Sequence, residues 1–269
     1  MRRCDNPADV AVARASSEPF DLVGDDDVGV VLVHGFTGSP WEVGYLGAQL
    51  AACGYTVRAP LLPGHGSSLD HLDHTRWEDW AEAVERAVDA LQVRCERVAV
   101  VGQSLGGLLA LHLASHRKDV MCVASLAAPL WLEGLSGRAA HWTRPGGPLA
   151  RIRTLPKLGG SDVRDRRSKA ENPCYPGVPT RALAQLVTFM KVADEALPAV
   201  SQPVLVLHAT QDHTAPVACA QRIAERTHAR RVRILPRSYH LIAVDVERDI
   251  VAAEVASFLR QTGDSSCAT

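Results

Sequence analysis

The sequence predicts an α/β fold: a mostly parallel central sheet with helices on both faces and a helical cap insertion. Three observations predict it. A continuous β-branched run at residues 28–34 and apolar runs at 97–101, 120–127 and 203–208 read as strands buried on both faces. Helical patterns lie between most of them, so strand and helix alternate as parallel strands joined by crossovers require. The alternation breaks once, between Pro129 and Pro198, where no strand is evident and Gly and Pro are frequent up to Pro179; an insertion of that length reads as a cap, at about 130–198.

Taken in order, residues 1–20 are polar and contain Pro7, Ser16, Ser17 and Pro19, the composition of a flexible N-terminal tail; residues 21–269 then read as a single domain carrying the cap. After the 28–34 strand, Ser39 and Pro40 supply an N-cap and a first-turn proline for a helix to about residue 53, which Gly54 stops. A short strand follows at 55–59. Trp77, Trp80, Ala81, Val84, Val88 and Leu91 fall at helical spacing with charges between them, an amphipathic helix ahead of the 97–101 strand. A helix at 105–115 and the strand at 120–127 precede the cap. Within the cap, Leu183, Leu186, Val187, Met190 and Leu197 mark one apolar helical stripe. Leu183, Leu186, Val187 and Met190 are expected to line the acyl side of a pocket beneath a mobile cap, the alternative being that the stripe packs on the core. The strand at 203–208, a helix at 217–227, a strand at 231–235 and a helix at 247–259 complete the chain.

Net charge is −1 and the pI about 6.8, so no global field attracts nucleic acid or an anionic membrane. Between Glu133 and Arg181, however, ten basic residues face four acidic ones, a basic cap suited to transient contact with a lipid interface or to a solvated surface. The seven cysteines are scattered, odd in number and without a C-x-x-C pair, which argues against a disulfide framework and against zinc. Met1-Arg2-Arg3 runs into polar sequence and no apolar run reaches a membrane span, so a cytoplasmic protein is expected.

The chemistry centres on Gly102-Gln103-Ser104-Leu105-Gly106, placed between a predicted strand and a predicted helix. A strand turning directly into a helix strains the central residue and exposes its side chain at the carboxyl edge of the sheet, which demands near-absent side chains on either side; this is a nucleophile elbow, with Ser104 as nucleophile. A serine hydroxyl needs an imidazole to take its proton, and the imidazole a carboxylate to fix its tautomer. In such elbows the chain order is Ser, acid, His, with the acid after a late strand and the histidine after the last. Asp212, just past the 203–208 strand, and His240, just past the 231–235 strand, meet that order. Asp245 is a rival acid that breaks the order, and His213 a rival base. His71, Asp73 and His74 lack a partner cluster and read as a solvated face rather than metal ligands. Acyl transfer also needs donors aimed at the oxyanion; the loop His34-Gly35-Phe36-Thr37-Gly38 resembles the H-G loop of α/β-hydrolases, which implies the Phe36 backbone N–H beside that of Leu105 with His34 orienting the loop, the alternative being a plain tight turn.

Residues 30–66, with HGFTGSP, GY-V and LPGHG segments, together with GQSLGG at 102–107, QDH at 211–213 and SYHLIAVDVERD at 238–249, resemble the bacterial carboxylesterase and monoacylglycerol lipase group of α/β-hydrolases. The resemblance covers nearly the whole chain from about residue 28. Gln103 stands where that group has Leu, and the segment 134–177 is longer than its compact cap. The resemblance implies a serine hydrolase acting on short to medium acyl esters or monoacylglycerols through a Ser104–Asp212–His240 triad and the Phe36 and Leu105 amides. No metal or organic cofactor is implied, and the partner implied is a small-molecule ester, with the basic cap's transient lipid contact beside it and no nucleic acid. The same triad serves amide, lactone, thioester and carbon–carbon bond hydrolases, and the fold also carries non-catalytic binding proteins.

Overall fold

The computed structural model describes residues 17–25, 27–133, 137–138, 140, 142, 147, 151–157 and 159–266. Residues 1–16 of the expected tail, together with Arg144 of the basic cap, lie outside the described residues. A seven-stranded sheet holds β1 (Phe20–Leu22), β2 (Val28–Val33), β3 (Thr56–Ala59), β4 (Arg97–Gln103), β5 (Val120–Leu126), β8 (Val204–Ala209) and β9 (Arg231–Leu235) in the order β1-β3-β2-β4-β5-β8-β9. All pairs are parallel except β1 with β3, so the expected mostly parallel sheet is present, with an antiparallel edge strand added. That edge strand starts at Phe20, where sequence reading still expected tail. Every residue of β2 and β8 is buried, which is why both read as unbroken apolar runs.

The two faces are covered by separate cores. On one, α1 (Trp41–Ala52) contributes Val43, Leu46 and Leu50, and α8 (Arg248–Ser266) contributes Val251, Val255 and Phe258. On the other lie α3 (Trp77–Gln92), α4 (Leu105–His116), α6 (Thr180–Ala196) and α7 (Val217–Thr227). The α1 start differs from the expected cap. Pro40 rather than Ser39 is the flanking residue, and no side chain caps the helix. The last helix runs beyond the expected residue 259 because the apolar period ends at Leu259 while the hydrogen-bonded helix does not; Arg97 Nη1 donates to the Gly263 carbonyl near its end at 2.8 Å.

Between β5 and β8 the expectation of no strand needs correction. β6 (Thr154–Pro156) and β7 (Gly177–Pro179) form a two-stranded antiparallel sheet, flanking the short helix α5 (Arg166–Glu171). Three-residue strands ended by proline are too short to show a period of two. α2 (Leu69–Asp73), ahead of α3, is as short, and Ser68 caps it by accepting from the His71 N–H at 3.1 Å.

The apolar stripe of α6 is a packing face. Leu183, Leu186 and Met190 are buried in the same cluster as Leu105, Leu108 and Leu109 of α4, Val187 is half-buried, and Phe189 stacks on Trp77 at 5.1 Å. The alternative reading of that stripe, packing on the core, therefore describes it. Leu186→Ala should cost about 2–5 kcal/mol, as large-to-small changes in a packed core do. Denaturant unfolding checks this: an unchanged midpoint would show that the face bears no packing.

Strand register places the loops. Val33 pairs with Gly102, Gln103 with Leu126, Leu126 with Leu207, and Ala209 with Leu235. The residues that follow these strand ends, at 34–38, 104, 210–213 and 236–240, therefore leave the sheet along one carboxyl edge, where open parallel sheets bind ligands.

Candidate active site

Ser104 joins β4 to α4 with φ 55° and ψ −117°, outside the regions L-residues favour. Its N–H donates to the Leu126 carbonyl at 2.7 Å. The flanking glycines are required by contact: a Cβ on Gly102 would sit 2.0 Å from the Gly106 carbonyl, and one on Gly106 would sit 2.1 Å from the Val33 oxygen. The turn thus presses α4 against the end of β2 and leaves the Ser104 side chain directed to the sheet edge.

Ser104, His240 and Asp212 come together there. The Ser104 hydroxyl donates to His240 Nε2 at 2.8 Å, and His240 Nδ1–H donates to Asp212 Oδ2 at 2.8 Å. The other Asp212 oxygen accepts from the Thr214 and Ala215 N–H groups, both at 2.8 Å. Burial alone would raise the Asp212 carboxyl, but the charge and hydrogen bonds of the His240 and His208 rings overcome it and hold the acid well below the ordinary carboxylate range. For His240, burial alone would lower the imidazole; Asp212 first, then Asp162 and Glu42, raise it above its ordinary value.

The rivals are engaged elsewhere. Asp245 is buried and accepts from the N–H groups of Arg164, Asp165, Tyr239 and Val246 at 2.7–3.1 Å. His213 is exposed and its Nδ1 donates to Asp162 at 2.8 Å. His71 meets Ser67 Oγ at 2.9 Å, while Asp73 accepts the Arg181 N–H at 3.0 Å and so ties α2 to α6.

The loop after β2 is tightly held. His34 donates through Nδ1 to the Gly35 carbonyl at 2.9 Å and accepts the Leu62 N–H on Nε2 at 3.1 Å, while burial, then the neighbouring His65, keep its ring well below the ordinary imidazole value and neutral. Thr37 adopts φ 62°; Lys157 Nζ donates to its hydroxyl at 2.9 Å, and the Tyr175 N–H donates to its carbonyl at 3.1 Å. The Phe36 ring packs near Trp80 and His65, with centroids 5.8 and 6.1 Å away. Leu105 is the first residue of α4, so its N–H is among those a helix start leaves without an intrahelical acceptor.

Sequence reading missed three groups that touch the site. Glu42, buried on α1, accepts the Gly35 N–H at 2.8 Å, and the absence of a side chain on Gly38 makes room for it: a Cβ there would lie 2.2 Å from Glu42 Oε1. Burial pushes the Glu42 carboxyl up, against the Gly35 N–H, Lys157 and His240, which favour its charge. Gln103, fully buried, donates from Nε2 to the His240 carbonyl at 3.0 Å and accepts the Ala243 N–H at 3.3 Å. His208 on β8 lies 3.3 Å from Asp212 Oδ2 and bonds the Ala215 carbonyl at 3.0 Å. Its signal was available, a histidine four residues before the acid at a strand end; for Glu42 and Gln103 only their nearness to motif glycines pointed the way.

Known proteins share this architecture along most of its length. The thermostable monoacylglycerol lipase of Bacillus sp. (strain H-257) is 32% identical over 246 residues, covering 91% of this chain and 94% of the relative. The carboxylesterase of Bacillus subtilis (strain 168) is 28% identical and covers 91% of this chain and 96% of its own. Among solved structures, one from the metagenome-derived lipolytic enzymes LipS and LipT superposes with a TM-score of 0.82 at 29% identity, covering 91% of this chain and 98% of that one. The elbow, the loops at the carboxyl edge of the sheet and the helices α1 to α7 all fall within residues 30–254, the stretch that matches the alpha/beta hydrolase family model, and the chain belongs to that family.

Proposed function

We propose that this chain is a carboxylic ester hydrolase that works through a Ser104 acyl-enzyme. The observation that carries the reading is the unbroken relay from Ser104 through His240 to Asp212, with both hydrogen bonds at 2.8 Å. Ser104 Oγ attacks the ester carbonyl carbon while His240 Nε2 takes its proton. Asp212 holds Nδ1–H and stabilises the imidazolium that forms. The Phe36 and Leu105 N–H groups serve as the oxyanion donors. Collapse of the tetrahedral intermediate breaks the carbon–oxygen bond to the alcohol, which leaves with the proton from His240. Water, deprotonated by the same ring, then attacks the acyl carbon and releases the acid and free Ser104.

Residues 21–269 act as one domain in this reading, with about 130–198 as a cap. What supports that is the packing of α6 onto the same core as α4, while β6 and β7 reach Thr37 through Lys157 and Tyr175. Half-buried Phe36, Trp131, Leu132, Leu155 and Val178 pack against the cluster containing Leu105 and supply apolar surface suited to an acyl chain. The relatives' names, a monoacylglycerol lipase and a carboxylesterase, support monoacylglycerols and short to medium acyl esters as the substrate class. No helix among the described residues is long and apolar enough to cross a membrane. A cytoplasmic setting agrees with the thiols of Cys53, Cys122, Cys174 and Cys219. Contact with lipid, where it occurs, would be transient and made by the cap's arginines.

A panel of nitrophenyl esters, monoacylglycerols, amides, lactones and thioesters tests the proposal. Esters should be turned over fastest, with kcat/KM rising as the acyl chain fills apolar surface. Faster cleavage of any other class would move the chain to that chemistry, and no turnover of any of them would leave a binding protein.

A further inference from the structure

Asp212 and His240 sit on loops that leave different strands, β8 and β9, and one residue of the cap bonds to both. Asp162 Oδ2 accepts from the His213 N–H at 3.0 Å and from Thr214 Oγ1 at 3.3 Å, its Oδ1 accepts His213 Nδ1–H at 2.8 Å, and its own carbonyl accepts the Leu241 N–H at 3.2 Å. The residue after the acid and the residue after the histidine are thus fastened to the same aspartate. Asp162 is itself fixed. Its neighbour Val163, 2% exposed, is buried among Trp41, Leu241 and Val244, and the next two N–H groups, of Arg164 and Asp165, donate to Asp245 beyond His240. A second segment from far along the chain therefore docks on the histidine loop by apolar contact and by hydrogen bonds at once.

We propose that Asp162 is a positioning residue that holds the Asp212 and His240 loops in mutual register, so that this part of the cap belongs to the catalytic scaffold. The proposal rests on the relay reading above. Misplacement of a catalytic group by about 1 Å can cost on the order of 10²-fold in rate, so a brace shared by both loops has a kinetic consequence without touching substrate. The groups that face His240 are Ser104 from the elbow, Asp212 from the β8 loop, Glu42 from α1 and Asp162 from the cap; the three carboxylates all favour the protonated ring. His213 faces Asp162 from the acid loop, with Tyr239 edge-on to it at 4.5 Å between ring centres.

The experiment compares the full-length parent with Asp162→Ala, Asp162→Asn and His213→Ala. It measures kcat and KM on a nitrophenyl ester, the pH profile of kcat/KM, fluorophosphonate labelling and thermal melting. Asp162→Ala should lower kcat by roughly ten- to a hundredfold with KM little changed. Asp162→Asn keeps an oxygen for the His213 N–H and should recover most of that kcat. In both variants the acid limb of kcat/KM should move to lower pH, because the neutral ring is the working form and one carboxylate that favours its protonation is gone. His213→Ala removes the exposed ring and its Nδ1–H bond to Asp162 but keeps the backbone N–H bond and the Thr214 and Leu241 contacts, and should leave kcat near the parent value. Parental kcat in Asp162→Ala, an unmoved acid limb, or an equal loss in His213→Ala would each overturn the proposal, the last by reducing Asp162 to a surface ion pair. Should the alanine variant fail to melt cooperatively, Asp162→Ser takes its place in the same comparison. A parent that neither hydrolyses esters nor labels at Ser104 defeats the functional reading itself, whereas an active, labelled parent indifferent to Asp162 defeats this inference only.

Discussion

Ser104→Ala should reduce ester turnover by on the order of 10⁴- to 10⁶-fold and abolish labelling by a fluorophosphonate, because the three residues of a relay act as one unit and the others have no acceptor for the acyl group without the hydroxyl. Binding should survive: the Phe36 and Leu105 N–H groups belong to the backbone, and the methyl of alanine fits where the Ser104 Cβ already sits. Intact mass and peptide mapping of the labelled parent check the residue, and stopped assays with millimolar substrate check the rate. A label on any other side chain, or substantial residual turnover in the variant, removes Ser104 as the nucleophile.

Asp212→Asn should cost on the order of 10⁴-fold in kcat while the fold stays intact. The reason lies in what the carboxylate already accepts. Its Oδ1 holds the Thr214 and Ala215 N–H groups, so an asparagine keeps its oxygen there and turns its NH₂ toward His240. The ring must then accept on Nδ1 and carry its proton on Nε2, facing the Ser104 hydroxyl as a donor and unable to take its proton. Asp245→Asn should behave differently. Its carboxylate collects four backbone N–H groups from the cap segment, the histidine loop and its own turn, so the substitution should lower the melting temperature more than kcat. If Asp245→Asn were the crippling change and Asp212→Asn mild, the acid would have been misassigned.

The sheet and the relay were legible because each leaves a local mark. Strands such as β2 and β8 are buried throughout and read as unbroken apolar runs. Gly102 and Gly106 announce the elbow because backbone contact at about 2 Å tolerates no side chain. Asp212 and His240 followed from chain order, a rule of topology rather than of neighbouring residues. The brace around them left no such mark. Lys157 reaches Thr37 across 120 positions and Asp162 reaches His213 across 51, and nothing within a window of helical or strand length distinguishes these residues from the other charges of a basic, glycine-rich stretch. β6 and β7 were invisible for a related reason, since three residues cannot establish a period. Glu42 illustrates the remaining gap: a carboxylate in the first turn of a helix is ordinary in sequence, and only burial against Gly35 gives it a role.

The backbone at Ser104 separates durability from turnover. A residue held at φ 55° and ψ −117° sits where only glycine is comfortable, and such conformations cost roughly 1–3 kcal/mol. Mutation that relaxed this turn to glycine would make a hardier protein with nothing to acylate. At this one position the demands of stability and of the proposed chemistry therefore oppose each other.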